Sequence, residues 1–203
     1  MSESALTLSG IVLNQVETGE RHLRTTLFSS HDGLQSILLR KSRTTNSNGL
    51  PDLFDDVECS LQGRMQKGIP FVRELFIRAK RMHLSQDHRR FLSACSIAKF
   101  FLKNGDHLSE PDRYAKVLNS ALDALMRDGD GKAVLFKTYF VFARDEGHPV
   151  KESWLSDLSS EDRALARDIL SREVLSSGSY SPRLDHVLSS LVGWLNGETE
   201  LII

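Results

Sequence analysis

Two cysteines, Cys59 and Cys95, are all the chain contains, so there is no CxxC pair to begin a tetrahedral zinc site. One possible bridge would be a thin disulfide framework, and free thiols are the expectation. No segment reaches the roughly 18 to 20 apolar residues that a membrane helix needs. The opening residues Met1 to Leu8 lack the basic start and apolar run of a secretory leader, which gives a cytoplasmic expectation with no membrane partner. A large charge of one sign is missing too: 26 Lys and Arg stand against 27 Asp and Glu, unlike the uniformly basic domain of many nucleic-acid binders. Any electrostatic function must come from local distribution.

Signatures of catalysis are equally scarce. The sequence holds no glycine-rich phosphate loop, no HExxH and no GxSxG elbow, and no nucleophile, base and orienter can be assembled. The expectation is a protein that is not an enzyme and has no metal or cofactor. Asp128-Gly129-Asp130-Gly131 starts like a calcium loop, but Lys132 and Ala133 stand where a further oxygen ligand and the glycine should be. A turn between helices is the better reading. His83 and His88 lie five residues apart across a helix start, a spacing that favours surface histidines over a shared site.

What is present is a change of pattern near residue 82. From Ala5 to Arg81 apolar residues alternate with period two between turn residues, which predicts five strands at Leu6–Val16, Leu23–Ser29, Leu34–Leu39, Val57–Gln62 and Phe71–Lys80. His31-Asp32-Gly33 is a tight-turn signal, and Lys41 to Pro51 is too rich in turn formers for a sheet. Five short antiparallel strands with the longest connection after the third suit a small Greek-key barrel of OB type, with other small barrels open. Beyond Leu84 come helix signals: a cap at Ser85 or Asp87 with a stop at Asn104-Gly105, a Pro111 entry running to Asp128, then Lys132–Glu146, Ser159 to Leu175, and Pro182 to Asn196. The predicted class is α+β, with an OB-fold domain over 1–82 and a helical domain over 83–203.

Ser9-Gly10-Ile11-Val12-Leu13, Gly19-Glu20, Leu27-Phe28-Ser29 and His31-Asp32-Gly33-Leu34 together resemble the opening of the bacterial RecO recombination mediators. Members of that family begin with a GIVL strand, a Gly-Glu or Ser-Glu turn, a strand ending in Leu-Phe-Thr, and a glycine turn. Arg40-Lys41-Ser42-Arg43 is similar to the family's basic loop, and Phe54 with Val57 falls at its entry to strand four. Leu135 to Gly147 and Leu184 to Leu195 resemble its later helices. Two departures stand out: Gly147 to Ser159 has no four-cysteine zinc module, and Arg40 to Arg43 lacks the small residues usual at that place. The resemblance therefore implies a divergent or shortened member without the metal.

That resemblance implies a DNA-repair and recombination protein that binds single- and double-stranded DNA, promotes strand annealing and recombinase loading, and forms no covalent bond itself. Its implied partners are a RecR-like protein, the C-terminal tail of the single-stranded-DNA-binding protein and, indirectly, a RecA-like recombinase. Between residues 40 and 81 nine cations face five acids, and Arg89-Arg90 extend the run. The expected DNA-binding residues are Arg40, Lys41, Arg43, Arg73, Arg78, Lys80, Arg81, Arg89 and Arg90, holding phosphates. Phe71 and Phe76 have opposite parity in strand five, so either one stacks on a base and the other is core, or both ends of the strand are buried by the helical domain. In the helical part, a Phe pocket rimmed by Lys99, Lys103 or Lys137 is the expected seat for the partner tail. The other reading is an interaction adaptor that keeps the architecture without DNA binding, its basic residues merely solvating the surface.

Overall fold

The computed structural model describes residues 6–41, 49–62, 68–106, 108–172 and 182–203. It is α+β, with a five-stranded sheet followed by helices. The chain divides into two compact units, one of residues 1–82 with 105–115 and one of residues 83–104 with 116–203.

In the first unit β1 (Leu6–Thr18), β2 (His22–Ser29), β3 (Gly33–Arg40), β4 (Asp56–Gln62) and β5 (Phe71–Ala79) close on themselves in the order β1-β2-β3-β5-β4. β1 makes the closure possible because it is long enough to serve two neighbours. Leu6–Ile11 pair with β4, and Ile11–Thr18 pair with β2. Inside the second stretch the register slips at Leu13, an extra residue that bends the strand and leaves Ile11, Val12 and Leu13 buried in succession. Gly10 precedes the bend for a steric reason: a Cβ there would lie 2.6 Å from the Phe28 carbonyl oxygen of the adjoining strand. The last seam is short, a parallel pairing of Leu38 with Phe71 beside a 2.9 Å bond from the Leu38 N–H to the Pro70 carbonyl. Inside lie Leu8, Val12, Leu27, Ile37, Leu39, Val57, Cys59 and Leu61, with Leu23, Val72, Leu75 and Ile77 against them.

The strand β5 carries the feature that shapes its surface. Ser60 pairs with Glu74 but the next residue, Leu61, pairs with Val72, so Arg73 is an extra residue opposite no partner. A bulge of this kind inverts the inside–outside alternation. Val72 on one side and Leu75 and Ile77 on the other can then all pack on the same core. Phe71 and Phe76 are consequently both outside, 44% and 47% exposed. This corrects the expectation that one of them is core, which assumed a regular strand.

In the second unit the helices are α1 (His88–Asn104), α2 (Pro111–Met126, whose first turn belongs to the first unit), α3 (Gly131–Asp145), α4 (Trp154–Asp157), α5 (Ser160–Ser171) and α6 (Pro182–Glu198). Their starts follow from side-chain oxygens that accept otherwise unpaired N–H groups. Asp130 accepts from Lys132 and Ala133 at α3, Ser159 from Asp162 at α5, and Asp87 from Arg90 at α1. The Asp128–Gly131 stretch is thus a turn and a cap. Gly147, at φ +87°, ends α3, and the His148 N–H returns to the Ala143 carbonyl. Buried α3 packs against α1 and α6, and its aromatic rings fall into two groups, Phe100 and Phe101 of α1 with Tyr139 and Phe142 on one side, and Phe136 and Phe140 with Trp154 of α4 on the other.

Candidate nucleic-acid interface

Alternation along the strands decides which side chains leave the barrel. Leu23, Thr25 and Leu27 point inward on β2, so Arg24 and Thr26 between them point out; Ile37 and Leu39 do the same for Leu38. The register then aligns these outer residues in rows across four strands. Val16 pairs with Arg24, Arg24 with Leu38, and Leu38 with Phe71. The adjoining row on one side is Thr18, His22 and Arg40, and on the other Asn14, Thr26 and Ser36. With strands about 4.8 Å apart, the first row spans about 14 Å.

The composition of this face is unusual for a solvated surface. Val16 and Phe71 are exposed, and Leu38 is half-buried between them. His22 meets Phe71 edge to face with ring centres 5.4 Å apart. Arg24 and Arg40 are exposed, and neither guanidinium has an acid partner among the described residues. Lys41 follows at the end of β3, where its N–H donates to the Arg21 carbonyl and its ammonium lies 2.5 Å from a Glu17 carboxylate oxygen. Apolar and aromatic surface flanked by cations is what a nucleic-acid strand needs: ring faces for bases, positive charge for phosphates.

Of the residues expected to bind DNA, the fold brings Arg40 and Lys41 to this face. Arg73 is exposed at the bulge of the neighbouring strand, two residues from Phe71. Arg78 lies farther along β5, its guanidinium 2.5 and 2.9 Å from a Glu58 carboxylate oxygen, and Lys80 is exposed beyond it. Phe76 lies four register steps from Phe71, since bulged Arg73 adds none, roughly 13 Å of strand. Arg81 requires a correction. It is only 7% exposed, donates to the Phe54 carbonyl at 2.7 Å, and pairs with Asp56 at 3.2 Å, while its N–H meets buried Asp55. Phe54 stands at φ +72°, and its carbonyl reaches Arg81 from that conformation. Arg81 therefore fastens the entry to β4 and is withdrawn from ligands. Arg89 and Arg90 belong to α1 in the other unit; Arg89 is exposed, whereas Arg90 pairs with Asp87 and Asp128. Arg43 lies outside the described residues.

Sequence reasoning passed over Arg24, His22 and Val16. Their signal was the cross-strand register, which a single strand's alternation does not supply.

In the helical unit Phe100, Phe101, Phe136, Phe140 and Phe142 of the expected Phe pocket are fully buried, Phe91 is half-buried, and Lys99 and Lys103 are exposed on α1. Lys137 instead donates to the Arg172 carbonyl at 2.6 Å and lines a groove of about 530 Å³ between α2 and α3. Lys116 and Arg127 join it there around Val117, Ala121 and Val141.

No group of His, Cys, Asp and Glu suited to a metal ion occurs among the described residues, and His83 pairs with Gln86. Burial pushes the Cys59 thiol up to about 11 and the Tyr139 phenol to about 12, so both stay neutral in their cores. Among the described residues no helix is long and apolar enough to cross a membrane. No family model matches the chain, and no curated protein matches it either.

Proposed function

We propose that the chain is a non-enzymatic DNA-binding mediator of recombination and repair, working in the cytoplasm, whose barrel is of OB type. The observation that carries the reading is the outer face of β1, β2, β3 and β5, where Val16, Leu38, Phe71 and His22 stand beside Arg24, Arg40 and Lys41. The strand order, with a bent β1 closing the sheet and a parallel β3–β5 seam, supports the OB assignment, and in such folds the face around strands two and three receives oligonucleotides. Together with the resemblance to RecO proteins, this supports binding of single- and double-stranded DNA, strand annealing, cooperation with a RecR-like protein and, indirectly, recombinase loading.

The α2–α3 groove supports the proposed contact with the acidic, apolar tail of a single-stranded-DNA-binding protein, with Lys116, Arg127 and Lys137 as its cations. Changing Lys116 and Lys137 to Ala is expected to abolish tail-peptide binding in a titration, while changing Lys99 and Lys103 leaves it intact.

Fluorescence anisotropy with labelled single- and double-stranded oligonucleotides at two salt concentrations tests the main reading. Salt-sensitive binding together with accelerated annealing of complementary strands is the expected result. Absence of binding at low salt would favour an interaction adaptor, a reading to which the acid-paired Arg78, Arg81 and Arg90 lend support.

A further inference from the structure

We infer that the corner formed by Phe71 and His22 is a stacking subsite for one unpaired nucleobase, so that this face selects single strands over duplex. The inference rests on the DNA-binding reading and names the form of DNA that the site takes.

Four observations lead to it. Phe71 is 44% exposed although it lies at the start of a strand paired on both sides, and the bulge at Arg73 is what sets its ring outward. The two rings meet edge to face at 68°, a geometry in which they cover at most one face of one ring between them and leave the other faces for a ligand. Leu38 and Val16 continue that apolar row, while Arg24 lies within it and Arg40 beside His22, placing cations where the phosphates flanking a stacked base would run. Finally, Phe76 has comparable exposure but a different neighbourhood: its register partner is Glu58, whose carboxylate and the Arg78 guanidinium neutralise each other, so that pair offers a phosphate no net positive charge. Exposure alone therefore does not define the subsite, and Phe76 serves as a control within the same strand.

The selection follows from where bases are. In a duplex each base is paired and stacked on its neighbours, and its face reaches a protein side chain only after unstacking at a cost of a few kcal/mol. A single strand offers that face freely. Phosphate attraction to Arg24 and Arg40 serves both forms, so only the ring contact separates them.

The test is an anisotropy titration of the whole chain with a labelled oligothymidylate and with a duplex of equal length. Phe71→Ala is expected to weaken single-strand binding about tenfold and leave duplex binding roughly unchanged. Phe71→Trp should keep single-strand affinity, and Phe76→Ala should alter neither, with thermal melting showing that each variant is folded. Equal losses on both DNA forms, or loss in Phe71→Trp as large as in Phe71→Ala, would overturn the subsite. Wild-type protein that binds both forms while Phe71→Ala changes neither would overturn the subsite alone and leave the DNA-binding reading standing. Wild-type protein that binds no DNA would overturn both.

Discussion

Arg40 and Arg81 are both cations at the end of a strand, and their surroundings assign them opposite work. Arg40 ends β3 with its guanidinium in solvent, whereas Arg81 lies buried and bonds to the Phe54 carbonyl and to the carboxylates of Asp55 and Asp56. Removing a buried partner leaves the opposite charge stranded, so Arg81→Ala is expected to lower stability by about 3 kcal/mol in urea unfolding. Its effect on DNA should appear only through loss of folded protein. Arg24→Ala and Arg40→Ala should instead each leave stability within about 0.5 kcal/mol. Each should weaken binding evenly across sequences and reduce the salt slope by about one. A swap of these two behaviours, read by urea midpoint against anisotropy, would reverse the assignment.

Among the elements, β1 depends most on a single small residue. Gly10→Ala would force the backbones of β1 and β2 apart, because the 2.6 Å approach to the Phe28 oxygen is against main chain that no rotamer change can move. Overpacking of this sort is expected to cost about 1–3 kcal/mol, measurable as an earlier unfolding midpoint. The five strands and the five longer helices were legible in sequence because alternation, caps and stop residues are local signals. Leu6, His22, Gly33 and Asp56 begin their strands within a residue of where those signals point. What was not legible depends on residues distant in sequence. The partner of Arg81 is set 26 residues away at Asp55, the rows across the barrel depend on register, and the extra residue at Arg73 leaves no mark in composition. The four-residue helix α4 is too short for a periodic signal; the guanidinium of Arg163 holds it by donating to the carbonyls of Leu155, Ser156 and Leu158.

At the scale of the whole molecule, a net charge of −1 means that attraction to DNA must be local. If Arg24, Arg40 and Lys41 meet phosphates, the logarithm of single-strand affinity should fall against the logarithm of salt with a slope of roughly −2. A slope near zero would separate binding from these cations. Acid acts elsewhere. The Ser159 hydroxyl, followed by the Arg183 guanidinium, holds the Asp162 carboxyl below the usual carboxylate range. A carboxyl lowered in the folded state contributes stability that is complete above about pH 4 and is lost as the pH falls through its folded-state value. Asp162→Asn is therefore expected to melt earlier than wild type at neutral pH, with the difference closing in acid. The bulge in β5 has a consequence of another kind, for heredity rather than for energy. Because Arg73 is the residue that inverts the alternation, deleting it would leave every other letter of the sequence unchanged and still turn Phe71 toward the interior. A lineage could gain or lose this face by the length of one codon, and a comparison that counts substitutions alone would overlook the event.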